Sequence, residues 1–199
     1  MKRNIKIFWL ILFLTMLADG FSQDTATYTA DVSNSYVFWH SNIHKGTVLL
    51  KEGEVKVVDG KIVAGDFLLL MDSIKDADID YDLMRKTLEN TLRSEIFFDT
   101  KNYPLAEFSL YYIEKNKENE KYKVMGNLTV KGITNCVIFP ATITVSPDKL
   151  LAVSDTFQIN RFNWDITVYS KHDSTDNGGL FIADNIDLAV RLVAVRKKE

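Results

Sequence analysis

Short runs of β-branched and aromatic residues, broken by Gly, Asn, Asp and charged turns, repeat along this chain from Tyr36 to Val195. That pattern suits antiparallel strands. The expected strands are Tyr36 to Ser41, Thr47 to Lys51, Gly53 to Val58, Lys61 to Met71, Glu107 to Ile113, Tyr122 to Val130, Cys136 to Val145, Leu150 to Ile159, Asp165 to Tyr169 and Asn185 to Val195. Asp59-Gly60 is the clearest hairpin signal, because a type I′ turn needs residues that tolerate positive φ between two alternating runs. Alternation is clear in Phe67, Leu69, Met71 against Asp66, Leu68, Leu70, and in Ile186, Leu188, Val190, Leu192 against Asp187, Ala189, Arg191. So many short strands in an open sheet would leave edges exposed to aggregation, and closure into a barrel removes them, although composition alone stops at a β-barrel or a sandwich. Small barrels are filled by side chains, and slightly larger ones hold one small ligand.

One segment departs from the strand period. Met84, Leu88 and Leu92 recur at i, i+4 and i+8 in Tyr81 to Ser94, which contains neither Gly nor Pro, and the spacing predicts an amphipathic helix. Asp80 or Asp82 is expected to cap its start and Arg93 to suit its end. Phe97, Phe98 and Tyr103-Pro104 follow where the chain returns to sheet, and Lys115 to Lys121 reads as a solvated hairpin loop. No internal repeat and no linker interrupts the pattern.

Residues 7 to 17 are apolar and follow Lys2, Arg3 and Lys6, with small residues at Gly20 and Ser22. This is the pattern of a secretory signal peptide over residues 1–22, cleaved near Ser22/Gln23, and the run is about half the roughly 20 residues a membrane span needs. The expected product is one domain, residues 23–199, periplasmic or secreted, without a stable transmembrane anchor. Loss of Lys2, Arg3, Lys6 and Asp19 moves the formal net charge from −3 to −5. Such a balance argues against nucleic acid, whose binding rests on clustered Lys and Arg. The single cysteine, Cys136, forms no intrachain disulfide, and its place in Cys136-Val137-Ile138-Phe139 predicts a buried, inert thiol.

Several polar groupings invite a chemical reading and favour a plainer one. His40 and His44 have the spacing of a helical zinc pair, but on a continuous strand they stand roughly 13 Å apart at about 3.3 Å per residue, too far for one ion unless the chain turns at Asn42. Asp76, Asp78 and Asp80 alternate like the opening of a calcium loop. The glycine position, however, holds Tyr81 and the twelfth position Thr87, so an acidic approach to the helix start is expected instead. His172-Asp173-Ser174 sits in a polar segment, Lys171 to Gly179, and is expected to be a loop, since a triad is assembled from separated positions. Asn127-Leu128-Thr129 matches a glycosylation pattern inside an expected strand.

An ordered set of phrases carries a family resemblance. It comprises Trp39; His44-Lys45-Gly46-Thr47; Gly53, Gly60 and Gly65 punctuating the next hairpins; Leu88 to Ser94 with Phe97-Phe98-Asp99; Tyr103 to Phe108; Gly126 to Thr134; Asn160-Arg161 with Trp164; and Asp184-Asn185-Ile186. The chain resembles the YceI-like family of exported lipid-binding proteins from about Tyr28 to Val195. That resemblance implies an all-β fold, an antiparallel lipocalin-like β-barrel with one amphipathic helix inserted between strands and an apolar tunnel for a polyisoprenoid or similar chain. Two positions depart from the family pattern: Thr91 stands where many members have histidine, and Phe162-Asn163-Trp164-Asp165 lacks a glycine often present.

The apolar fraction of 46% supplies both core and pocket lining. Trp39, Phe67, Phe97, Phe98, Phe108, Phe139 and Trp164 are the candidate ligand-binding residues, and the catalytic and metal sets are expected to be empty. The expected function is non-catalytic binding or carriage of a hydrophobic small molecule or lipid, such as a polyisoprenoid or quinone tail. No cofactor is expected beyond such a lipid, and a homodimer is compatible with this reading. Two alternatives differ in what they require. An envelope hydrolase needs His40, His44 or His172 within reach of a nucleophile or acid, and a protein-interaction module needs a solid interior, whereas a ligand site needs about 300 Å³ or more of apolar space.

Overall fold

The computed structural model describes residues 24–171 and 181–198. The signal segment 1–22, the Ser22/Gln23 junction and His172-Asp173-Ser174 lie outside the described residues. In chain order the elements are β1 Thr25–Ala30, β2 Tyr36–His40, β3 Lys45–Val58, β4 Lys61–Asp76, α1 Asp82–Arg93, β5 Leu105–Lys115, β6 Tyr122–Val130, β7 Ile133–Val145, β8 Lys149–Ser154, β9 Phe157–Asn160 and β10 Asn185–Arg196. A 3₁₀ turn, Arg161–Trp164, follows β9.

All these strands pair antiparallel, from β10 through β2, β3, β4, β5, β6 and β7 to β8, and β8 pairs back onto β10 to close the ring. Two places in it hold a pair of short strands. β1 joins β2 in bridging β10 and β3, and β9 continues β8 along β10. The result is the expected antiparallel barrel, uneven in outline, with α1 inserted between β4 and β5. No helix among the described residues is long and apolar enough to cross a membrane.

Two bulges decide what faces inward. In β3 the buried positions run Gly46, Val48, Leu50 and then Gly53, Val55, Val57, with the register shifting between Leu50 and Glu52. The separately expected strands Thr47 to Lys51 and Gly53 to Val58 are therefore one bent strand. In β4 the buried positions Leu69 and Met71 are followed by Ile74 and Asp76. Ser73 occupies the irregularity, its hydroxyl accepting the Leu49 N–H at 2.8 Å and donating to the Leu70 carbonyl at 2.6 Å. This change of parity turns Asp76 toward the interior.

Four expectations are corrected. Leu150 to Ile159 is split at Asp155, whose N–H leaves the ladder for the Pro140 carbonyl and whose carboxylate pairs with Lys121. Asp165 to Tyr169 is not a strand, because the Arg161 guanidinium takes the Ile166 and Val168 carbonyls that a ladder would use. Cys136 is exposed rather than buried, since Val137, Phe139 and Ala141 hold the inward positions of β7, and its sulfur lies 3.1 Å from the Tyr111 hydroxyl. At α1 the N-cap is Tyr81 with no side-chain cap. Asp82 pairs with Arg85 and Lys86 instead, and Met84 is 62% exposed while Leu92 is buried. Strand β1 has no counterpart among the expected strands. Its Thr and Ala content gives it little apolar signal, although Ala26 and Tyr28 are buried.

Candidate functional site

The barrel encloses a cavity of about 280 Å³ walled almost entirely by carbon. Alternation on the strands produces this wall. Ile186, Leu188, Val190 and Leu192 of β10 border it as one dry face, as do Phe67, Leu69 and Met71 of β4. Leu88 and Leu92 of α1 complete one side, and exposed Ile43 and part-exposed His44 border it beside the β2–β3 turn.

All seven aromatic residues singled out in the sequence, Trp39, Phe67, Phe97, Phe98, Phe108, Phe139 and Trp164, border this one space. The phenylalanines among them fall into two groups of ring contacts. Ring centroids lie 6.2 Å apart for Phe67 and Phe108, 5.9 Å for Phe108 and Phe139, and 4.5 Å for Phe139 and Phe157, the last pair stacked. Phe157 is not among the candidates: Leu150, Ala152 and Ser154 line the space from even positions, and the break at Asp155 shifts the parity so that Phe157 and Ile159 line it in β9. Phe97 meets Phe98 at 6.0 Å and Tyr169 at 6.3 Å beyond the helix. Trp164 is 2% exposed and donates its indole N–H to the Leu128 carbonyl at 3.1 Å, which fixes its ring in the wall. The Trp39 indole nitrogen is shielded from solvent and has no hydrogen-bond partner among the described residues.

Polar groups at the cavity are few. Arg161, 4% exposed, spends its guanidinium on the carbonyls of Ile166, Val168, Ile182 and Ala183 at 2.6 to 3.2 Å. Burial draws its pKa down, and Asp184 at 3.8 Å opposes that pull. The chain does turn at Asn42, with the Ser41 N–H donating to the His44 carbonyl. The two histidines nonetheless part company: His40 faces Asp187 at 3.4 Å, and His44 faces Asp78 at 3.4 Å and Asp76 at 3.8 Å. The Ser41 hydroxyl bonds to the His44 backbone rather than to its ring, so this pair is no nucleophile and base.

The meeting of His44 with the acidic run escapes sequence reasoning because it depends on the β3–β4 register. Gly46 pairs with Asp76, and the Ala77 N–H donates to the Lys45 carbonyl at 2.9 Å. Desolvation raises the pKa of Asp76, and its contact with Asp78 adds to the rise. For Asp78, desolvation is outweighed by its contacts with Asp76 and His44, which hold its carboxyl below the usual range.

Residues 28–194 match the model of the YceI-like domain. A UPF0312 protein of Photorhabdus laumondii is 39% identical over 71 residues, which are 36% of this chain and 35% of that protein, so the chain spans about a third of the curated relative it matches. Among solved structures, Burkholderia cenocepacia BcnA superposes with a TM-score of 0.65 at 22% identity, covering 82% of this chain and 98% of that one. A polyisoprenoid binding domain from Saccharophagus degradans, implicated in plant cell wall breakdown, gives 0.60 at 11% identity, covering 85% and 98%. The Campylobacter jejuni YceI protein gives 0.54 at 20% identity, covering 81% and 85%.

Proposed function

We propose that this chain, which belongs to the YceI-like domain family, binds or carries a long hydrophobic chain such as a polyisoprenoid or quinone tail, without catalysing a reaction on it. The observation that carries the reading is the carbon-lined cavity of about 280 Å³ inside a closed strand ring. This volume is just below the roughly 300 Å³ at which ligand cavities begin. Each methylene moved from water into such a wall is worth about 0.8 kcal/mol, so a flexible hydrocarbon gains affinity along its length with no specific polar contact. The similarity to a polyisoprenoid binding domain supports this choice of ligand class. Contact with the ligand is assigned to Trp39, Phe67, Phe97, Phe98, Phe108, Phe139 and Trp164, with the unpaired Trp39 indole N–H free to meet a polar end. The apolar run at residues 7 to 17 supports export, with the carrier working in the cell envelope after cleavage near Ser22/Gln23.

Beyond Trp9 in the expected signal segment, the only tryptophans of the chain are Trp39 and Trp164, and both border the cavity. Titration of the purified, delipidated protein with a polyprenol should therefore shift tryptophan emission saturably, and native mass spectrometry before delipidation should reveal a bound lipid. A protein that comes out ligand-free and leaves its emission unchanged during the titration does not have this function.

A further inference from the structure

We propose that His44, Asp76 and Asp78 form a binding site for a divalent first-row transition cation, with zinc as its probe, where β2 turns into β3 and β4 runs toward α1. His44 Nδ1 lies 3.8 Å from Asp76 Oδ2 and 3.4 Å from Asp78 Oδ1, and the three ligand atoms all fall within 4.8 Å of one another. Tetrahedral zinc with bonds of about 2.0–2.1 Å holds its ligand atoms roughly 3.3 Å apart. A charged hydrogen bond between nitrogen and carboxylate would instead draw them to about 2.7–2.9 Å. The His44–Asp78 spacing is close to that of co-ligands around a shared centre, and the His44–Asp76 spacing is about 0.5 Å wider.

Asp76 supplies the independent indication. It is 6% exposed, and its Oδ1 accepts the N–H groups of Asp78 at 3.1 Å and Ile79 at 2.8 Å. Its Oδ2, also shielded from solvent, has no hydrogen-bond partner among the described residues. A buried carboxylate oxygen left unpaired carries a desolvation cost that a cation between it and His44 offsets. Two backbone N–H groups already hold the carboxylate in that orientation. A further clamp comes from Glu89 of α1, which accepts the Asp76 N–H at 3.2 Å and pairs with Arg93 at 3.4 Å.

The site is open to an ion from outside, since the His44 and Asp78 side chains are 31% and 27% exposed. Imidazole with carboxylate oxygens suits zinc and its neighbours, and three protein ligands leave a position for water. None of this depends on whether the cavity takes a lipid.

Metal-stripped protein titrated with zinc by calorimetry should take up one equivalent per chain, and cobalt should give the visible absorption of a low-coordinate site. Affinity should fall by at least about tenfold in His44→Gln and again in Asp78→Asn. His40→Gln, which alters the histidine facing Asp187, should leave it unchanged. Circular dichroism of each variant separates a lost ligand from a lost fold. Absence of a saturable equivalent, or equal zinc affinity in the folded His44→Gln and Asp78→Asn proteins, overturns the site.

Discussion

A Cβ placed on Gly126 would stand 2.2 Å from Phe108 Cζ and 2.8 Å from the Ser109 carbonyl, and one on Gly53 would stand 2.3 Å from Phe67 Cδ1. These two glycines are recesses in which cavity aromatics sit, so the packing of these rings depends on side chains that are missing. Gly126→Ala is therefore expected to cost about 1–3 kcal/mol in urea unfolding, the range for overpacking a fitted interior. An unchanged midpoint would mean that the Phe108 ring moves aside freely. At this scale the sequence is only partly legible. Gly53, Gly60 and Gly65 all look like hairpin punctuation, yet Gly60 alone sits in a turn, at φ +74° beside Asp59 at φ 50°, while the other two lie within β3 and β4. A glycine that makes room for a ring across a sheet has the same local sequence signature as one that turns the chain. Asp165, which ends the 3₁₀ turn, adopts the left-handed conformation at φ 56°.

Among elements, the least legible is the stretch between β9 and β10. Alternation in Asp165 to Tyr169 resembles a strand, but backbone carbonyls there and at Ile182 and Ala183 converge on one buried guanidinium. A side chain from Arg161 does the work of a neighbouring strand, and no periodicity reports that. Arg161→Lys keeps the charge but replaces a planar fork with a single ammonium, so several carbonyls lose their donor. The expected loss is about 2–4 kcal/mol, checked by thermal unfolding. A melting temperature equal to that of the parent protein would show that water or the lysine ammonium satisfies those carbonyls. The helix was far easier to read. Its expected span, Tyr81 to Ser94, brackets the observed Asp82–Arg93, because leucines at i and i+4 report the buried stripe, whereas Met84, one turn earlier, projects outward.

For the whole molecule, the strand pattern leaves a barrel or a sandwich, and the family resemblance selects the barrel. That β10 should pair with β1, β2, β8 and β9 follows from contacts far apart in sequence, which a single chain does not advertise. The same closure gives a way to separate packing from binding. Ala152 of β8 borders the cavity between Leu150 and Ser154 and pairs with Leu192 of β10 and Ile143 of β7. A larger group there enters apolar space that the protein leaves open, not a filled core, so the usual overpacking penalty is relieved by new contacts. Ala152→Phe should therefore unfold within about 1 kcal/mol of the parent while taking up much less polyprenol in the tryptophan titration. A fall in stability of several kcal/mol would mean that the wall has no slack at β8. Undiminished uptake in a stable variant would place the ligand elsewhere, and the enclosed space would then be a packing defect, not a binding site.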